Sequence, residues 1–308
     1  MEEILRLFPN EMRQVIETKI GNRWDFLQEI RIRLFQPIEF IFDRQIEWIT
    51  HVKPSKHDGV YIVNQLSEFS LYRMTDELRE GYITIEGGHR VGIAGRVNTI
   101  GGSVKALQYI TFFNIRIAKQ KIGVANAIIP YIFKEKYLNT LLVGAPQTGK
   151  TTLIRDTTRL ISSGWGKVPA QKVGVIDERS EIAASINGIP QLDLGTRTDV
   201  MDACPKAEGM MMMIRSMSPD VLVVDEIGSA DDINALIEAI NTGVTVICTI
   251  HGQSLIELKK RPSLDILFQH KVFERFLFLE KTGQPSVLKK VYDQNEKEIL
   301  QKTRFVIT

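Results

Sequence analysis

The segment Thr140-Leu141-Leu142-Val143-Gly144-Ala145-Pro146-Gln147-Thr148-Gly149-Lys150-Thr151-Thr152 joins an apolar run to a glycine-bounded loop, a lysine and two hydroxyls. Gly144 and Gly149 let the backbone turn with its N–H groups inward. With Ala145, Pro146, Gln147 and Thr148 between them, at the head of a helix, those donors make a cradle for phosphate oxygens. In this reading Lys150 bridges β and γ phosphates, Thr151 holds Mg²⁺ through its hydroxyl, and Thr152 donates nearer the α-phosphate. The chemistry requires Leu141 to Val143 to be a buried strand and Thr152 to Ile161 a helix.

The run Pro219-Asp220-Val221-Leu222-Val223-Val224-Asp225-Glu226 supplies a second half for such a site. Its uninterrupted apolar stretch suits a strand covered on both faces, and the carboxyl end of such a strand is where open α/β sheets place ligands. Asp225 would hold a Mg²⁺-bound water, and Glu226 would orient and deprotonate an attacking water. Two further apolar runs end in polar residues: Lys172 to Ile176 in Asp177-Glu178-Arg179, and Val244 to Ile250 in His251. His251 either reaches a γ-phosphate or its water, or is a surface histidine at a strand end. Asp177 and Glu178 either help to polarise the water or pair with Arg179.

Elements that could position these residues need a sizeable chain. At 308 residues, 44% hydrophobic and 25% charged, the sequence has ordinary globular composition and room for two domains. Its 39 basic and 37 acidic side chains leave a formal charge of +2, so no global field draws it to nucleic acid or anionic lipid. No basic stripe interleaved with aromatics marks a nucleic-acid surface, and no nucleic-acid partner is expected. The N-terminus has no charged-then-apolar signal, and the longest apolar segment, Ile122 to Phe133, is too short to span a bilayer, so a cytoplasmic protein is expected. Cys204 and Cys248 lack metal-ligand spacing and are read as reduced thiols.

The fold class expected is α/β: a nucleotide-binding domain with a mostly parallel sheet over residues 122–308, preceded by a smaller α+β domain over residues 1–121. Leu5, Phe8, Met12, Val15, Ile16 and Ile20 follow helical spacing, which predicts one or two helices over Glu2 to Ile20, broken near Pro9. Their apolar face either packs on its own domain or meets a partner or membrane. Strands are expected at Gln28 to Leu34, Ile38 to Phe42 and Gly59 to Val63, then a helix around Ser67 to Arg79. Antiparallel strands follow at Tyr82 to Ile85, His89 to Val97 and Phe112 to Ile117, around Gly87-Gly88 and Gly101-Gly102 turns. The Met210 to Met213 run predicts a helix with at least two methionines in the core. Gly283 to Thr308 reads as a hairpin followed by a charged segment.

The order and spacing of Gly144 to Thr151, Asp177 to Glu181, Arg215 with Pro219 to Glu226, and Thr242-Gly243 to His251 resemble the RecA-like ATPases of type II and type IV secretion and type IV pili, over roughly residues 60 to 280. The sequence departs from those enzymes in having Asp225 before the acid, Val244 after Thr242-Gly243, and no four-cysteine zinc module. It resembles more fully the stage III sporulation protein AA family, through Gly87-Gly88-His89-Arg90-Val91-Gly92, Asp177-Glu178-Arg179-Ser180-Glu181-Ile182, Arg197-Thr198-Asp199-Val200 and Cys204-Pro205-Lys206-Ala207-Glu208-Gly209-Met210.

That resemblance implies a RecA-like domain that binds ATP and Mg²⁺, assembles as a homo-oligomer, a hexamer by likeness to secretion ATPases, and hydrolyses ATP in the mother-cell cytoplasm of an endospore-forming bacterium. It implies membrane channel proteins of the sporulation secretion apparatus as partners and would allow peripheral contact with the membrane facing the forespore. The alternative left by fold analogy is a RecA-like NTPase acting on nucleic acid. Secretion ATPases also bring arginines from the N-terminal domain to the γ-phosphate. Arg96 and Arg116 stand where the resemblance puts them, with Arg90 a weaker candidate, and the competing reading is a solvated strand face.

Overall fold

Pro9 divides the N-terminal apolar pattern into two helices, α1 (Glu2–Leu5) and α2 (Asn10–Ile20), because a ring nitrogen cannot donate inside a helix but is tolerated at its start. The computed structural model describes residues 1–43, 45–67, 81–100, 103–281 and 287–300, in two units, Met1–Lys119 and Gln120–Thr308. In the first unit Leu5, Phe8, Met12, Ile16 and Ile20 are buried. Their apolar face is therefore in the unit's own core.

That core lies against a six-stranded antiparallel sheet of order β3-β2-β1-β6-β5-β4. The strands are β1 (Leu27–Arg33), β2 (Ile38–Phe42), β3 (Ile46–Ile49), β4 (Tyr82–Ile85), β5 (His89–Ile100) and β6 (Ser103–Arg116). Ile30, Ile32, Phe40, Val91, Phe113 and Ile115 supply its buried side. The strand expected at Gly59 to Val63 is instead part of helix α3 (Lys56–Leu66). Ser55 and Asp58 form a reciprocal capping box, and Gly59, Ile62 and Leu66 bury one helical face, which outweighs the strand preference of Val60, Ile62 and Val63. Ser67 is the turn that ends α3, and the rest of the helix expected to Arg79 lies outside the described residues, as does the Gly101-Gly102 turn.

The second unit is built on a seven-stranded sheet of order β13-β12-β7-β11-β10-β8-β9. Its strands are β7 (Thr140–Gly144), β8 (Val173–Asp177), β9 (Thr198–Asp202), β10 (Val221–Val224), β11 (Thr245–His251), β12 (Arg275–Glu280) and β13 (Val287–Asp293). Every neighbouring pair is parallel except β12 with β13. Helix α4 (Lys150–Ser163) follows the glycine loop, α5 (Lys206–Met217) precedes β10, and α6 (Ala230–Asn241) links β10 to β11.

Alternation along the strands feeds two cores. Leu142, Val175, Val223 and Ile247 pack with Leu153, Ile154 and Ile161 of α4, while Leu141, Val143, Leu222, Val224 and Val246 pack with Met210 and Met213 of α5 and Ile233 and Leu236 of α6. Each such side chain contributes about 1.5–3 kcal/mol by leaving water. A sheet sandwiched in this way holds its strand ends in fixed register, and the chemistry below depends on that. Of the methionine run, Met210 and Met213 are in the core and Met212 is exposed. Strand β12, in the sheet core, pairs antiparallel with β13, so the expected C-terminal pairing begins earlier than Gly283; residues 283–286 and 301–308 of that segment lie outside the described residues. Among the described residues no helix is long and apolar enough to cross a membrane.

Candidate functional site

Three parallel strand ends meet beside the glycine loop. Register pairs Gly144 of β7 with His251 of β11, and Val224 of β10 with Cys248 of β11, so Asp225 and Glu226 leave β10 alongside Thr249. The loop itself is tight. Gly149 (φ 78°) and Gln147 (φ 61°) are left-handed, and a Cβ on Gly144 would come within 2.4 Å of Thr148 Oγ1. Thr148 is buried and donates its hydroxyl to Ala145 O at 2.7 Å, whereas Pro146 and Gln147 are exposed.

Lys150 is 7% exposed. Its ammonium reaches Gly144 O at 2.9 Å, Ala145 O at 3.1 Å and His251 Nδ1 at 3.0 Å. Burial pushes its pKa down, and the Asp225 and Glu226 carboxylates oppose that. Thr151, one position on, donates to Asp225 Oδ2 at 3.2 Å, and Thr152 is half-buried in the first turn of α4.

The acids beyond β10 are held by β11. Glu226 is left-handed, at φ 47°, a conformation that costs a non-glycine residue about 1–2 kcal/mol and recurs where side chains are aimed for function. Its backbone N–H donates to Thr249 Oγ1 at 2.8 Å, and the Thr249 hydroxyl donates to Asp225 Oδ1 at 2.5 Å. Glu226 Oε1 lies 2.7 Å from His251 Nε2.

These contacts fix the tautomer of His251. An ammonium has only protons to offer, so Nδ1 accepts from Lys150, and the ring proton sits on Nε2, facing the Glu226 carboxylate. The longer 3.4 Å approach of Nδ1 to Gly144 O would need a proton pointed beside the ammonium and is the lesser contact. Lys150, His251 and Glu226 thus form one chain of close polar contacts from the phosphate loop to the acid, a hydrogen bond to the lysine and a 2.7 Å approach to the carboxylate. His251 is a partner of both, not a lone surface histidine.

The two acids after β8 take different partners. Asp177 is 1% exposed and accepts the backbone N–H groups of Glu181, Ile182 and Ala183 at 2.8–3.0 Å. Burial pushes its pKa up, against those three donors. Glu178 pairs with Lys206, and Arg179 reaches Glu226 Oε2 at 3.5 Å. Asp177 is a loop organiser, while Glu178, Arg179 and Lys206 line one small cleft with Asp225 and Glu226. Arg155 of α4, buried, donates to the carbonyls of Glu181 and Ile182 and ties the same loop to the helix behind Lys150.

Other residues of the sequence motifs lie elsewhere. Pro219 and Asp220 precede β10, where Asp220 accepts the Lys172 N–H, and Thr242-Gly243 precede β11, so both are at the strand ends opposite Glu226 and His251. Arg215 is exposed in the last turn of α5. Arg96 and Arg116 stand exposed on β5 and β6 of the first unit, and the Arg90 guanidinium lies 5.0 Å over the Tyr82 ring. Cys204 and Cys248 are free thiols. Thr249 and Lys206 lie inside motif segments, but the contacts they make are not among the expected site roles. Only the two-residue spacing of Thr249 from His251, which puts both on one strand face, could have pointed to Thr249.

The arrangement fits a nucleotide with a divalent cation: a loop whose glycine Cβ would fill the turn, a buried ammonium, and an oxygen pair from Thr151 and Asp225 of the kind that Mg²⁺ prefers. Comparison with known proteins agrees on the fold. The model of the family "Sporulation stage III, protein AA" matches residues 1–299. The stage III sporulation protein AA of Bacillus subtilis (strain 168) is 47% identical over 295 residues, 96% of this chain and 96% of that protein. Among solved structures, the pilus retraction motor PilT with bound ADP superposes with a TM-score of 0.62 at 14% identity, covering 94% of this chain and 83% of that one. The Legionella pneumophila ATPase DotB gives 0.58 at 15% identity, covering 94% and 78%. At such identities the likeness is one of fold, the RecA-like fold of secretion and pilus ATPases.

Proposed function

The chain belongs to the stage III sporulation protein AA family, and we propose that it is a Mg²⁺-dependent ATPase, a secretion-type motor whose hydrolysis energises a membrane channel complex during endospore formation. One juxtaposition supports this reading: Lys150, the Thr151–Asp225 pair and the His251–Glu226 pair stand together at the carboxyl edge of one parallel sheet.

In this mechanism the loop N–H groups from Gly144 to Gly149 other than Pro146, with Lys150 and Thr152, hold the phosphates, and Thr151 and, through a bound water, Asp225 would hold Mg²⁺. When bound, Mg²⁺ draws charge from the phosphate oxygens and favours attack at the γ-phosphorus. Glu226 takes a proton from the attacking water as the new P–O bond forms and the bond to the ADP oxygen breaks. Lys150 turns from its own loop carbonyls to the phosphates, and in doing so leaves His251 Nδ1. The histidine that orients the base thereby registers whether the loop is filled. Glu178 is the reserve for the base. Arg96 and Arg116 offset γ-phosphate charge. A homo-hexamer in the mother-cell cytoplasm, working on channel proteins of the forespore-facing membrane, completes the reading by family likeness.

The experiment is phosphate release with Mg²⁺ and with chelator, beside calorimetric ATP binding to Lys150→Ala. Turnover should need Mg²⁺, and the variant should lose tight ATP binding; equal affinity in variant and parent would remove the loop from the mechanism. Arg96→Ala and Arg116→Ala should each lower turnover roughly a thousandfold in the same assay. Parental rates for both would return them to a solvated strand face.

A further inference from the structure

Thr249 is wholly buried in β11, yet its hydroxyl is directed at the strand end where the acids stand. A threonine hydroxyl has one proton to give and lone pairs to receive. Here the Glu226 N–H donates to Oγ1 at 2.8 Å, and the hydroxyl proton goes to Asp225 Oδ1 at 2.5 Å, since a carboxylate only accepts. The backbone carbonyl of Thr249 takes the Ile227 N–H at 2.9 Å. One residue therefore contacts three consecutive residues after β10 has ended at Val224, and the middle one is the left-handed Glu226.

We propose that Thr249 is a positioning residue for the reaction: its hydroxyl holds the left-handed turn at Glu226 and the rotamer of Asp225 in one move, so that the base and the Mg²⁺-side carboxylate are set together. The inference rests on the ATPase reading for its kinetic consequence but not for its structural one. Thr249 touches neither phosphate nor water in this scheme. It acts through Asp225 and Glu226, as outer-sphere partners do when they fix the ligands that meet a metal or substrate. His251, two residues further along the same face of β11, fixes the Glu226 carboxylate while Thr249 fixes its backbone.

The test compares full-length Thr249→Val, which keeps the shape and removes the hydroxyl, with Thr249→Ser, which keeps the hydroxyl and removes the methyl; Thr249→Ala replaces the first should it fail to fold. For the Val variant kcat should fall on the order of ten- to a hundredfold, with ATP affinity and KM within about twofold of the parent. Thr249→Ser should recover most of kcat. Independently of turnover, hydrogen–deuterium exchange of a peptide spanning 225–227 should speed up in the Val variant and not in the Ser variant. Parental exchange in Thr249→Val, equal damage from Ser and Val, or a loss of nucleotide affinity with kcat kept would each overturn the proposal. A parent that hydrolyses no ATP would refute the ATPase reading alone, and the exchange comparison would still decide the role of Thr249.

Discussion

Two histidines, one in each unit, stand between a donor at Nδ1 and a carboxylate at Nε2, to opposite ends. His89 at the start of β5 accepts the Ala118 N–H on Nδ1 at 2.9 Å, so its proton is on Nε2, 3.2 Å from Glu3 Oε1. His251 at the end of β11 accepts on Nδ1 and faces Glu226 through Nε2. The partners differ in freedom. His89 is 3% exposed, its donor is a fixed backbone amide, and its acid is anchored. Partial burial pushes the Glu3 carboxyl up, but hydrogen bonds from the Met1 ammonium, its own backbone and His89 hold it at about 2. The His251 side chain is 38% exposed, its donor is a lysine side chain rather than a backbone amide, and its acid sits on a left-handed residue that lines the small cleft. A histidine between two anchored groups is a staple; under the mechanism proposed above, one between two groups that also meet substrate can relay.

The sharpest way to break this contrast is to remove the acids. Glu226→Gln should keep ATP binding and lose a factor of a hundred or more in turnover, as expected when a general base is removed. The check is single-turnover hydrolysis beside calorimetric affinity, and parental turnover would move the base elsewhere, with Glu178 the first suspect. Glu3→Gln should leave turnover within about twofold, because nothing in the first triad is proposed to touch substrate.

The histidines come next. His251→Gln can place an amide near the Nε2 position but offers Lys150 no acceptor at Nδ1. Turnover should fall about tenfold or more, the scale of lost outer-sphere support, with the melting temperature little changed. His89→Gln should do the reverse, leaving kcat alone and destabilising the first unit by about 1 kcal/mol, the scale of one buried hydrogen bond. Thermal melts and initial rates on the same samples separate the two. Equal effects of both substitutions on rate would mean that the two triads do not differ in kind.

How far the contrast was legible in the sequence depends on distance along the chain. The apolar runs that end at Gly144, Asp177, Glu226 and His251 announce buried parallel strands, because periodicity is local and a strand covered on both faces leaves an uninterrupted record. The glycine loop is equally local, and so are α1 and α2 around Pro9. The pairing of His89 with Glu3 and that of His251 with Lys150 span 86 and 101 residues, and only tertiary packing creates them. Thr249 is silent for the same reason: a threonine in a strand is ordinary until β10 brings Glu226 beside it. The edge strands β3 and β9 escaped because short, half-exposed segments carry little apolar signal. Asp177 misled because an acid at a strand end looks the same whether its carboxylate meets a ligand or three backbone N–H groups.

The smallest expected effect is the pH response of the staple. Burial pushes the His89 pKa below its ordinary value, while Glu3 pulls the other way. The folded pKa is thus lower than the unfolded one, near 6.5. Between the two values the unfolded chain binds more protons, so stability rises with pH there. The His89 contribution is complete above about pH 6.5 and is lost as pH falls through the folded value. Protonation would put a hydrogen on Nδ1, the atom that now accepts the Ala118 N–H, so the first bond to fail is that one. The measurement is the protection factor of the Ala118 amide, corrected for intrinsic exchange, at pH 7.5 and near pH 5. It should fall several-fold in the parent and hardly change in His89→Gln, where no ring titrates. Constant protection in the parent down to pH 5 would mean that Nδ1 of His89 is not the group that holds Ala118, and the likeness between the two triads on which the contrast depends would fail at its structural end.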